Sequence, residues 1–201
     1  MPAPLTLRPS LPADTDALLD VWRRAVEATH HFLSPADIAG LERLIREVYL
    51  GAVAVTVAVG APSVMGASPA MGASPAPDAV VLGFICIAAP GGAGAGDGEG
   101  ADSRDGADTS AEAGAADRAG VTVSVEMLFV DPSAHGRGVG TALLEHVCAE
   151  AASAVVDVNE QNPAALGFYL ARGFAQVGRS ATDNEGNPFP LLHLRRDSPA
   201  S

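Results

Sequence analysis

The segment Val125-Glu126-Met127-Leu128-Phe129-Val130-Asp131-Pro132-Ser133-Ala134-His135-Gly136-Arg137-Gly138-Val139-Gly140-Thr141-Ala142-Leu143-Leu144 constrains this chain more than any other. An apolar run ends at Asp131-Pro132, a turn follows, and three alternating glycines lead into residues with helical spacing. Glycines at 136, 138 and 140 strip the loop of side chains, so successive backbone N–H groups face one point at a helix N-terminus. Those donors and the positive end of the helix dipole form a cradle for a pyrophosphate. A glycine-rich turn that only tightens a strand-to-helix connection is the alternative for the loop taken alone.

Three phosphate-binding loops compete for this pattern. A Walker A loop needs Gly-Lys-Ser/Thr, and all twelve cations of the chain are arginines. A Rossmann fingerprint needs a third glycine where Thr141 stands, and a direct turn where the five residues Asp131 to His135 intervene. Asp157, near the end of the next strand, does imitate the ribose-binding acid of that fold. The third reading is a loop for coenzyme A.

The surrounding pattern predicts a strand at Leu5–Arg8 and a helix from Asp14 or Thr15 to about His30, with Leu18, Leu19, Trp22 and Val26 on one face. Ser34-Pro35 opens a second helix carrying Ile38, Leu41, Leu44, Ile45 and Val48. Runs 53–59 and 80–87 read as an antiparallel hairpin. Then follow a strand at 121–130, a helix from Gly138 to about Ala152, a strand at 154–158, a helix at 162–172 and strands at 174–179 and 191–196. The order β-α-α-β-β-β-α-β-α-β-β predicts one α/β (α+β) domain over 1–201, a mixed sheet with helices on both faces.

Two stretches are foreign to that pattern. Residues 60–78 hold a tandem Met-Gly-Ala-Ser-Pro-Ala repeat, a low-complexity loop insertion. Residues 90–120 are mostly Gly and Ala, with seven acids against two arginines. Lacking large apolar groups to offset chain entropy, this segment is expected to be a disordered insertion.

Composition narrows the partners. The net charge of −12 repels phosphate backbones and anionic lipid, so neither nucleic acid nor membrane is expected, and cationic partners are favoured. No run of apolar residues is long enough to span a bilayer. Cys86 and Cys148 sit singly in apolar runs, and Met1-Pro2-Ala3-Pro4 lacks the charged and apolar regions of a signal peptide, so a reduced, cytoplasmic setting is expected. The remaining histidines, His31, His146 and His193, show no spacing for a metal, and none is expected.

Positions 135–140 resemble the Q/R-x-x-G-x-G/A acyl-CoA loop of the GNAT N-acetyltransferase superfamily, with His135 in the place of Gln or Arg. Downstream, Asn162-Pro163-Ala164-Ala165-Leu166-Gly167-Phe168-Tyr169-Leu170-Ala171-Arg172-Gly173-Phe174 fits its second signature, N-x-x-A-x-x-F-Y-x-x-x-G-F. The small bacterial YjaB-type members are similar also around Ala28–Leu33, Val158–Asn162 and Asn187–Leu192. The resemblance covers nearly the whole chain outside the insertions. It implies the GNAT fold, in which strands 121–130 and 154–158 are central, parallel and splayed apart. It further implies acetyl-CoA as co-substrate, with Leu128, Phe129 and Val130 on its pantetheine arm and Asn162 on the other side. The pyrophosphate would lie on His135, Gly136, Arg137, Gly138, Val139, Gly140 and Thr141.

Transfer of an acetyl group to an amine then needs three things. The Leu128 N–H is the candidate donor to the developing oxyanion. Tyr169, the motif tyrosine, is the candidate acid for the departing thiolate, and of the adjacent aromatics it is expected to point away from the core. Glu126, two residues before Leu128 and on the same face by strand alternation, is the candidate base, with His30 its rival. His30, Phe32 and Trp22 are the acceptor-side candidates, although Trp22 and Phe32 also suit packing. The acceptor is a primary amine, on a protein lysine or a small molecule, attacking directly in a ternary complex; the chain is compatible with a monomer or a homodimer. A sensor that binds acetyl-CoA without efficient catalysis is the alternative.

Overall fold

The structure is a computed structural model, and it describes residues 5–30, 33–60, 80–88, 121–183 and 186–198. Both insertions, apart from Gly60, lie outside the described residues. The chain runs β1 (Thr6–Pro9), α1 (Thr15–Thr29), α2 (Pro35–Leu44), a π-helical turn (Ile45–Tyr49), a short α3 (Leu50–Ala52), β2 (Val53–Gly60), β3 (Val80–Ala88), β4 (Thr122–Val130), α4 (Val139–Cys148), β5 (Ser153–Asn159), α5 (Pro163–Leu170), β6 (Ala175–Ser180) and β7 (Leu191–Asp197). Seven strands form one sheet in the order β1-β2-β3-β4-β5-β7-β6. Only the central β4–β5 pair is parallel. The expected order of elements and the three-layer arrangement are therefore observed.

Helix boundaries follow local chemistry. Ser34 and Asp37 form a capping box at α2, each side chain taking the other's backbone N–H. Asp14 stands at the start of α1, but its carboxylate is taken by Arg8 and the Leu11 N–H rather than by the helix. Val48 does not join the apolar stripe of α2: the wider π turn after Leu44 rotates it outward, leaving it 54% exposed. Helix α4 stops at Cys148, short of the expected Ala152, because the Ala152 N–H is bonded to the Val121 carbonyl at the foot of β5.

Two cores flank the sheet. One joins Leu143 and Leu144 of α4 and Tyr169 of α5 to Ile85, Val125, Val156 and Leu194 of the strands. The other joins Leu18, Leu19, Trp22 and Val26 of α1 to Val57, Phe84 and Cys86. Side chains as fully enclosed as Phe84 or Leu143 each contribute about 1.5–3 kcal/mol. Cys86 and Cys148 are free thiols in different cores. Among the described residues, no helix is long and apolar enough to cross a membrane, and no group of acids, cysteines and histidines is arranged to hold a metal ion.

Candidate active site

The two central strands open as they run. β4 and β5 pair from Thr122↔Ser153 to Val125↔Val156 and no further, although β4 continues to Val130 and β5 to Asn159. Hydrogen-bond parity shows what faces the gap. The Asp131 N–H bonds the Leu82 carbonyl, which makes Phe129↔Phe84 and Met127↔Cys86 the bonded pairs of the β3–β4 ladder. The backbone groups of Leu128 and Val130 therefore turn away from β3, into the opening. On the far side, the Glu160 N–H bonds the Pro190 carbonyl, and the same alternation turns Asp157 and Asn159 toward the gap.

The glycine loop closes the wide end. Asp131 anchors it, accepting from the Ser133 N–H and hydroxyl at 2.9 and 2.6 Å and from Arg24 Nε at 2.7 Å. Burial alone would raise the Asp131 pKa, but these donors outweigh it and hold the carboxyl below its usual range. Gly136 and Gly138 have φ of +72° and +80°, a conformation that costs other residues roughly 1–2 kcal/mol. Gly138 is the N-cap of α4, so the first N–H groups of that helix point out of the loop. Gly140 differs: its backbone is ordinary helix, and a Cβ there would stand 3.2 Å from the Phe168 ring, a tight contact. The His135 ring turns back, its Nε2 donating to the Val130 carbonyl at 3.1 Å.

A cavity of about 550 Å³ joins loop and gap. Glu126, Leu128, Phe129, Val130, His135, Gly136, Gly138, Val139, Gly140, Thr141, Asn162, Tyr169 and His30 all border it. Arg137 and Trp22 do not; Trp22 is enclosed in the α1 core, edge-on to Phe129. Phe32 lies outside the described residues. Asn162 caps α5 through its Oδ1, which accepts from the Ala165 N–H at 3.0 Å. His30 ends α1, with Nδ1 2.8 Å from the Thr29 hydroxyl.

Two expectations about orientation fail. The β3–β4 register jumps from Cys86↔Met127 to Ile87↔Val125, so Glu126 is the extra residue of a bulge. Val125, Leu128 and Val130 all pack toward α4 and α5, while Glu126 sides with Ser124, whose hydroxyl donates to Oε1 at 2.8 Å. Glu126 and Leu128 thus border one cavity from different faces of the strand. The aromatic pair is also reversed. Tyr169 is the enclosed member, 5% exposed and edge-on to Phe168 and Phe174, while Phe168 is only partly buried. Burial, and to a smaller extent Cys148, raises the Tyr169 phenol above the ordinary tyrosine range, so it stays protonated at neutral pH.

Among the lining residues that the sequence reading left unassigned is a cation. Arg172 lies 3.7 Å above the Phe168 ring, with Nε 3.0 Å from the Thr141 hydroxyl and Nη1 2.7 Å from the Phe168 carbonyl. It ties α5 to the first turn of α4 and adds a cation beside the loop. Its only signal in the sequence is a charge in an unspecified position of the second motif.

A gap between parallel strands, backed by amide donors and a cation, suits an extended ligand with a phosphate at one end. A family profile described as acetyltransferase (GNAT) domain matches residues 80–176. The peptidyl-lysine N-acetyltransferase YjaB of Salmonella typhimurium is 31% identical over 190 residues, covering 94% of this chain and 97% of that protein. The chain belongs to the GNAT acetyltransferases. The protein of the same name from Escherichia coli is 30% identical, covering 94% of this chain and 95% of its own. The apo form of that protein superposes with a TM-score of 0.64 over 96% of this chain and 97% of its own, at 29% identity. The PaiA N-acetyltransferase from Thermoplasma acidophilum, solved with coenzyme A, shares the fold with a TM-score of 0.62 at 14% identity, over 97% of this chain and 99% of its own. GNAT acetyltransferases use acetyl-CoA, and the opening and loop of this chain suit such a ligand: backbone groups without a strand partner lie along the gap, and helix donors lie at its end.

Proposed function

We propose that this acetyltransferase moves an acetyl group from acetyl-CoA to the side-chain amine of a peptidyl lysine, in one ternary complex. The β4–β5 opening carries the reading, because it leaves the Leu128 backbone groups and the Val130 N–H without a strand partner beside the loop donors. The 30–31% identity to two proteins named peptidyl-lysine N-acetyltransferase supports the acceptor class.

Acetyl-CoA, when bound, supplies a thioester carbon and a thiolate leaving group. The chain's own groups then have separate tasks. Loop amides at Gly136 to Thr141, with Arg172 near Thr141, hold the pyrophosphate end. The Leu128 N–H donates to the oxygen on which negative charge develops. Glu126, at the bulge, takes the proton of the attacking amine directly or through one water, with His30 at the end of α1 as the other base on the cavity wall. Tyr169, kept protonated by burial, gives a proton to the departing sulfur. The test is incubation with acetyl-CoA and lysine peptides, reading thiol release and acetyl-lysine by mass spectrometry. Both signals together are expected. Tight acetyl-CoA binding with neither signal would identify a sensor instead.

A further inference from the structure

His193 of β7 faces Asp157 of β5 at a non-hydrogen-bonded pair of their ladder, where cross-strand side chains approach most closely. Its Nδ1 is 2.6 Å from Asp157 Oδ1, and its Nε2 is 2.7 Å from the Ser180 hydroxyl of β6. The ring has a shaped seat. The β6 register shifts between Gln176 and Gly178, and a Cβ at Gly178 would stand 3.1 Å from His193 Cδ2. With Nδ1–H donating to the carboxylate and the hydroxyl donating to Nε2, both hydrogen bonds point toward Asp157. Asp157 borders the cavity, whereas His193 and Ser180 do not. The hydrogen bonds run in the same order as in a serine-activating triad, but here the carboxylate and not the hydroxyl meets the ligand space. Asp157 Oδ2 has no hydrogen-bond partner among the described residues.

We infer that Asp157, positioned by His193 and Ser180, is a subsite for a second positive charge on the acceptor, next to the amine that reacts. The inference rests on the acetyl-transfer reading and names the acceptor class within it: an amine with a neighbouring cation, as in a lysine flanked by arginine or in a diamine. Asp157, held by His193, is not needed for that amine's proton, and a cation that it keeps charged is one that does not itself react. Glu126, across the gap on β4, remains for the proton, and the net charge of −12 draws the same class of acceptor from a distance.

The test uses the full chain and two matched pairs: a lysine peptide with arginine or alanine flanks, and 1,5-diaminopentane or pentylamine. The Asp157 side chain is 43% exposed, so solvent screening limits the effect; the KM preference for the charged member is expected to be about twofold to fivefold, with kcat little changed. Asp157→Asn keeps an oxygen for His193 and removes the charge, and should abolish the preference. His193→Gln should weaken it while leaving KM for the alanine-flanked peptide unchanged, which a general loss of structure would not do. A preference in the peptide pair alone points to basic polypeptides, and one in the diamine pair alone to small polycations. The same ratios, read as Kd by calorimetry on the CoA-loaded protein, separate the two claims. Preference in binding without turnover would refute acetyl transfer and keep the subsite. Equal KM and Kd within both pairs, or a preference that survives Asp157→Asn, would overturn the subsite.

Discussion

Replacing Tyr169 by Phe probes the chemistry with little disturbance of the packing. The ring centroid lies 5.1 Å from that of Phe168 and 5.3 Å from that of Phe174, edge-on to both, and neither contact uses the hydroxyl. Folding stability should therefore change by no more than about 1 kcal/mol. A positioned acid contributes about 10²–10⁴ in rate. The sulfur it serves leaves from a thiol whose ordinary pKa is about 8.5, already a fair leaving group, so the lower end applies. The expected loss is roughly 10²-fold in kcat, or about 2.7 kcal/mol of barrier. KM for acetyl-CoA should stay within about twofold, because loop and gap are intact. Since burial holds the phenol above the ordinary range, no loss of wild-type activity below pH 10 should trace to its ionisation. Continuous thiol detection gives kcat and KM, and urea unfolding gives stability. A kcat within about threefold of wild type, in a variant of unchanged stability, would remove Tyr169 from proton transfer.

Glu126→Gln should lower the rate most near neutral pH, with a deficit that shrinks as pH approaches the amine's own value of about 10.4; a deficit independent of pH would assign Glu126 a structural part. Gly138→Ala meets a φ of +80° and should cost about 1–2 kcal/mol by thermal unfolding while raising KM for acetyl-CoA. Asp131→Asn should destabilise by about 1–3 kcal/mol, discounted because the Arg24 side chain is 49% exposed. The folded Asp131 carboxyl is held below its unfolded value of about 3.9, so its stabilisation is present above that pH and is lost as pH falls through the folded value; wild type and variant should converge in acid urea titrations. Burial, and then Glu126, lifts Cys86 to about 12, so native protein at pH 8 should leave that thiol unlabelled until it unfolds.

Hydrophobic period and turn chemistry exposed most of the fold. Strands such as Val53–Gly60 and Thr122–Val130 announce themselves by β-branched runs, and Ser34-Pro35 and the glycines at 136 and 138 mark helix starts whose geometry the structure repeats. What stayed hidden depends on contacts between distant segments. The bulge at Glu126 is a property of β3 paired with β4, and a single strand read alone shows only alternation. Tyr169 and Phe168 sit in an eight-residue helix that is apolar on nearly every side, so no stripe says which ring turns inward. Asp157, Ser180 and His193 come from three strands and meet through a register that no local spacing encodes.

Acetyl transfer by these residues depends on where the activated acetyl carrier binds. Backbone amide shifts of the isotope-labelled protein, followed by NMR as coenzyme A is added, read that directly. The largest changes are expected at Leu128, Val130 and residues 136–141, the amides that face the β4–β5 opening and the start of α4. Saturable binding that leaves those amides unmoved and shifts another surface would contradict it.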